Sequence, residues 1–117
     1  MSYTKEEVVA ASLEYHGGDA LAAEVFLKYA LHNPTGMYEE LTPDDMHKRL
    51  AREFARMEQK FGGANAMSFA EIYGLLKDYK YIAAQGSPSS GIGNPHQIQS
   101  LSNCFVIEPP FDSYGGI

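Results

Sequence analysis

Cysteine is almost absent from this chain: Cys104 is the single one among 117 residues. That excludes an internal disulfide and leaves three readings of the thiol, as a buried packing residue, a reactive group, or half of a pair whose partner lies on another chain. Basic residues are scarce as well. The 9 Lys and Arg against 15 Asp and Glu give a net charge of −6 and a pI near 5.1. No basic stripe is present to displace counterions from phosphates, so nucleic-acid binding is not expected. No apolar run approaches the roughly 20 residues that cross a bilayer. Met1 is followed by Ser, Tyr, Thr, Lys and two Glu in place of a basic then apolar leader, so a cytoplasmic protein with no membrane partner is expected. His16, His32, His47 and His96 form no i, i+4 pair and have no cysteine companion, which argues against zinc and leaves no metal site in the reading.

What is present reads as an ordinary globular domain, with 44% hydrophobic and 21% charged residues. Thr4 with Glu7 forms a capping box, which starts a helix over about Lys5 to Tyr15, ended by Gly17-Gly18. Asp19 caps a second helix, whose apolar stripe is expected to be Leu21, Val25 and Tyr29 with Phe26 beside it. Thr42-Pro43-Asp44-Asp45 opens a third helix running to about Phe61, with proline at its first position and acids against the positive end of the dipole. Met46, Leu50, Phe54, Met57 and Phe61 form its packing stripe. Lys48, Arg52, Arg56 and Lys60 repeat at i, i+4 and read as a solvated cationic face, with Asp44 placed to pair with Lys48 and Glu58 nearby. Ser68 with Glu71 caps a fourth helix over about Phe69 to Tyr79, with Ile72, Leu75, Leu76 and Tyr79 inward.

From Ala83 to Gln97 the composition turns to Gly, Pro and Ser, which reads as a loop. The stretch Gly86 to Asn94 suits either a plain linker or a cradle for an anion, with Ser87, Ser89 and Ser90 as hydroxyl donors. It fits neither the Walker pattern nor the dinucleotide fingerprint. Ile98 to Ile107 alternates with period two and reads as a strand on which Cys104 shares a face with Ser100 and Ser102. Two hydroxyls beside a thiol make a polar surface, since each would need a partner if buried. Asp112-Ser113 after two prolines reads locally as a turn or a helix cap.

Tyr81-Ile82 with Gln85-Gly86-Ser87-Pro88, then Gly91-Ile92-Gly93-Asn94, Ser100-Leu101-Ser102-Asn103-Cys104-Phe105-Val106-Ile107 and Asp112-Ser113-Tyr114-Gly115 resemble the N-terminal part of the catalytic subunit of ribonucleotide reductase. The segments around Tyr29, Tyr38-Glu39 and Thr42 to Arg56 also fit that family, so the likeness covers nearly the whole chain. It implies a mainly α fold: an N-terminal region of about four helices over 1–82, then 83–117 as the start of a ten-stranded α/β barrel, with a loop and its first strand. It implies that Cys104 is one of two active-site thiols that reduce a ribonucleotide to a deoxyribonucleotide by radical chemistry. Ser87, Ser102 and Asn103 would contact substrate, and Asp112, Ser113 and Tyr114 would begin the site for a deoxynucleotide effector.

The same resemblance implies no cofactor on this stretch. Adenosylcobalamin, or a radical from a separate metal-containing subunit, would serve the complete enzyme, with a thioredoxin-like reductant to restore the thiols. The pattern is slightly closer to the adenosylcobalamin-dependent members. The radical-carrying cysteine, the second reducing cysteine and most of the barrel would lie downstream of Ile117, so the expected partner is the remainder of the catalytic chain. A non-catalytic helical interaction module and an inactive truncated fragment are the competing readings. An independent thiol enzyme built on Cys104 is a third.

Overall fold

The computed structural model describes residues 2–97 and, beyond them, 101, 102, 104 and 106. The protein is mainly helical, with α1 (Lys5–Tyr15), α2 (Ala20–Leu27), α3 (Pro43–Phe61), α4 (Phe69–Leu76) and α5 (Gly86–Gly91), and no β-strand among the described residues. Short 3-10 turns cover Gly63–Asn65 and Lys77–Tyr79. The expected barrel strand falls largely on Ile98, Gln99, Ser100, Asn103, Phe105 and Ile107, which lie outside the described residues.

Local chemistry sets the helix starts. The Thr4 hydroxyl accepts from the Glu7 amide at 3.3 Å, and the Glu7 carboxylate accepts from the Thr4 amide at 3.4 Å. Ser68 and Glu71 repeat that exchange at 3.2 and 3.3 Å. Asp19 accepts from the Ala22 amide, and the Asp45 carboxylate reaches back to the amides of Leu41 and Thr42. Each pairing removes an orphan donor that an uncapped helix would leave exposed. The boundaries of α1 and α3 are those expected from the sequence.

α1 packs against α2 and α3 against α4, and Val8, Phe26, Met46, Leu50, Ala51, Ile72 and Leu76 close into one core. The start of the chain is tied in by a bridge in which Tyr3 and Tyr38 exchange backbone hydrogen bonds of 2.7 and 2.9 Å.

Three expectations are corrected. α2 stops at Leu27, and its buried positions are Ala23 and Phe26, continued by Ala30 beyond its end, while Leu21 is 71% exposed. At about 100° per residue, Ala23 and Phe26 lie roughly opposite Leu21 around the helix, so burying their face turns the leucine outward. α4 ends at Leu76 because Asp78 and Tyr79 adopt left-handed backbone, with φ of 55° and 58°; Tyr79 is half-exposed. Within the presumed loop, Gly86 to Gly91 winds into α5, with Pro88 in the first turn, where its missing N–H has no helical partner to lose.

Candidate functional site

Arg49 and Glu40 are 5% and 4% exposed and form an ion pair, with Arg49 Nε donating to Glu40 Oε2 at 2.8 Å. Charges this deep persist only when paired and hydrogen-bonded on all sides. Glu40 Oε1 also accepts from the Leu31 amide at 2.8 Å and from Arg49 Nη2 at 3.3 Å. The remaining N–H groups of Arg49 turn to carbonyls. Nη1 donates to Ile92 O, while Nη2 donates to Ser89 O and, at 3.4 Å, to Tyr29 O. One guanidinium thereby joins α3, the segment after α2, the 38–40 segment and α5.

Glycines at both ends allow this docking. A Cβ on Gly86 would stand 2.9 Å from Tyr29 Cε1, and one on Gly93, where φ is +74°, would stand 3.1 Å from Arg49 Cγ. Ser89 is buried, its hydroxyl donating to Ala84 O at 3.2 Å, and the Ser90 hydroxyl donates to Ser87 O at 3.4 Å. Just beyond, His96 Nε2 lies 3.1 Å from Glu39 Oε1, and the His96 amide donates to Asn94 Oδ1 at 2.8 Å. Glu39 therefore holds this segment directly through His96, and Glu40 holds it indirectly through Arg49.

Of the residues singled out from sequence, Ser87 sits half-buried on the first turn of α5. Cys104 and Ser102 are exposed. Asn103, Asp112, Ser113 and Tyr114 lie outside the described residues. Leu101 lines a groove of about 460 Å³ together with Phe54, Met57, Ile92 and Gln97.

The cationic face of α3 is a solvated one. Lys48 pairs with Asp44 at 3.1 Å and Arg56 with Glu53 at 2.5 Å. The groove of about 670 Å³ that Lys48, Arg52 and Arg56 line also carries Glu39, Asp45 and Glu53, a balance of sign that does not select an anion. Glu58 caps elsewhere, accepting from the Met67 amide at 3.0 Å.

Sequence reasoning passed over Arg49 and Glu40. The signal for Arg49 is its place three residues after Met46 and one before Leu50, on the apolar arc of α3. That for Glu40 is its period-two match with Tyr38 in an extended segment.

A second polar cluster lies where α1, α3 and the Lys77–Tyr79 turn meet. His47 is 2% exposed, its Nδ1 has no hydrogen-bond partner, and its ring meets that of Tyr79 edge-on at 4.6 Å. Burial pushes the His47 pKa down, against the opposing pull of the Asp44 and Asp78 carboxylates. Tyr15 donates to Asp78 Oδ1 at 2.6 Å, and burial together with that carboxylate raises its pKa. Tyr73 donates to Asp44, which pushes the phenol up to about 12. Burial pushes Asp44 up, but the hydrogen bonds from Tyr73 and Lys48 outweigh it and hold the carboxyl below its usual value. Every member is engaged with a neighbour in the fold except His47 Nδ1, so the cluster reads as a structural joint.

Comparison with known proteins finds no matching family model, no matching curated protein and no matching solved structure. No helix among the described residues is long and apolar enough to cross a membrane, and no group of three or more His, Cys, Asp or Glu among them is arranged to hold a metal ion.

Proposed function

We propose that the chain is the N-terminal part of a ribonucleotide reductase catalytic subunit, contributing a reducing thiol and a substrate loop to the conversion of ribonucleotides to deoxyribonucleotides. The observation that carries this reading is the run Gln85-Gly86-Ser87-Pro88 to Gly91-Ile92-Gly93-Asn94, followed closely by Ser100 to Ile107 with Cys104. The docking of the first of these blocks supports it: a Ser/Gly/Pro stretch that served only as a linker would not need a buried guanidinium on its carbonyls. The exposure of Cys104 is the second support, since a thiol that exchanges with a partner must be reachable.

In this reading Ser87 holds the phosphate end of the substrate, and Ser102 and Asn103 contact the nucleotide. Cys104 and a second cysteine from the remainder of the catalytic chain together give up two electrons and become a disulfide. The ribose 2′-hydroxyl leaves as water, and a thioredoxin-like dithiol restores the pair. Asp112, Ser113 and Tyr114 belong to the deoxynucleotide effector site. Adenosylcobalamin, or a separate metal-containing subunit, supplies the initiating radical, and no residue described here is assigned to it.

A second reading, a non-catalytic helical module that binds a partner, is favoured by one feature. Phe54, Met57 and Phe61 on the C-terminal half of α3 are 40%, 38% and 72% exposed, beside Ile82 at 48%. The two readings separate in a pull-down of the tagged chain followed by a nucleotide-reduction assay on the eluate. Under the reductase reading, Cys104→Ser abolishes reduction and leaves association intact. Under the module reading that change is silent and Phe61→Asp abolishes association.

A further inference from the structure

We propose that Arg49, clamped by Glu40, is the positioning residue that sets the conformation of α5 and thereby the placement of Ser87 against its ligand; the functional half of this inference rests on the reductase reading. α5 has 6 residues, all Gly, Ser or Pro. An isolated helix shorter than roughly 12 residues is marginal in water even when rich in alanine, and these residues are poor helix formers. Its own backbone bonds, such as Ser89 N–H to Gln85 O at 2.9 Å and Ile92 N–H to Pro88 O at 3.0 Å, cannot hold it alone. What fixes it is the pair of carbonyls, Ser89 O and Ile92 O, taken by two different nitrogens of one planar group. Two donors in a rigid fork define an orientation as well as a distance. Glu40 fixes the fork in turn, since it holds both Nε and Nη2 while anchored by the Leu31 amide. Ser87 stands two residues before Ser89 on the same short helix, so a change in how the fork grips is transmitted to its hydroxyl. Arg49 itself touches no ligand in this scheme.

The test is Arg49→Lys. Lysine keeps the charge for Glu40, so the buried pair survives, but a single ammonium cannot hold Ser89 O and Ile92 O in the fork geometry. Arg56→Ala, on the 61% exposed side of a surface pair, is the control. Hydrogen exchange on the intact chain should show the Ser89 and Ile92 amides exchanging at least about tenfold faster in Arg49→Lys, with the Val8 and Ile72 amides unchanged. In the chain assembled with the rest of the reductase, KM for a ribonucleoside diphosphate should rise about tenfold while kcat stays within about twofold. Unchanged exchange across 86–92 overturns the proposal. So does faster exchange with an unchanged KM, or an equal fall of kcat without a KM effect. If the wild-type assembly does not reduce nucleotides, the reductase reading falls with it, and the exchange data alone decide whether Arg49 orders α5.

Discussion

Replacing His47 by leucine should remove a pH dependence that the wild-type fold carries. His47 is 2% exposed and Nδ1 has no partner, so the folded chain holds the neutral ring and resists the charged one. An orphaned buried nitrogen costs about 1–3 kcal/mol. The edge-on contact with Tyr79 at 4.6 Å returns about 0.5–1.5 kcal/mol of that. At pH 7 the substitution is therefore expected to lie between a loss of about 0.5 kcal/mol and a gain of about 2.5 kcal/mol. The sign of the acid effect follows from the depressed pKa. Below the unfolded histidine value of about 6.5 the unfolded chain binds a proton that the folded chain refuses, so stability is present above that pH and lost as pH falls. The loss reaches about 1.4 kcal/mol per pH unit and stops once the folded pKa is passed. Between pH 7 and 5 this amounts to at most about 2 kcal/mol.

Urea unfolding followed by far-UV circular dichroism, on wild type and His47→Leu at half-unit steps from pH 7.5 to 5, measures the effect. Groups with no interaction with His47 cancel in the difference between the two curves. Asp44, whose pKa is lowered, loses its contribution only in a more acid window. The variant should gain on the wild type as pH falls from 6.5 to 5. Parallel curves would refute the argument, because they would mean that His47 titrates alike in the folded and unfolded chain.

Gly86→Ala should destabilise by about 1–3 kcal/mol in thermal or urea unfolding, since the new methyl stands 2.9 Å from Tyr29 Cε1, and Tyr29→Leu should recover part of the loss in the double variant. Arg49→Met leaves Glu40 buried with only the Leu31 amide and should cost about 3–5 kcal/mol, against less for Glu40→Gln, which keeps an acceptor; equal losses by urea unfolding would count against the buried-pair account. Phe61→Asp should change the free energy of unfolding, measured in urea, by less than about 0.5 kcal/mol, because the ring is 72% exposed.

The parts of this fold that could be read from sequence are those in which cause and effect lie within four residues. Thr4 with Glu7, Asp19 with Ala22 and Ser68 with Glu71 are visible as neighbours in the chain, and each forms the expected bond. The Arg49 pairings were not legible for the opposite reason: Glu40 is nine residues away and Ser89 forty, so only the folded chain brings them together. Gly86 to Gly91 was misread for the same cause. Its residues have no helical preference of their own, and the helix exists because a distant guanidinium takes its carbonyls. The left-handed pair Asp78-Tyr79, too, contains no glycine, and only Asp78 is of a type enriched in that region.

α3 shows a different limit. Met46, Leu50, Phe54, Met57 and Phe61 form one uninterrupted stripe, and periodicity assigns all of them to the same face. Met46 and Leu50 are buried, while Phe54, Met57 and Phe61 are 40%, 38% and 72% exposed. A hydrophobic period reports the direction in which a face points and says nothing about how far along the helix other elements reach to cover it. Here the core formed with α1 and α2 draws on the N-terminal part of α3, whereas α4 leaves an apolar groove of about 270 Å³ between Phe54, Met57, Ile72 and Leu75. Each exposed aromatic ring on that half offers about 25 cal/mol for every Å² a neighbour removes from water. Whatever chain settles there gains more from Phe61 and Phe54 than from the paired charges of Lys48 and Arg56 on the adjoining face, which already have their counterions within the same helix.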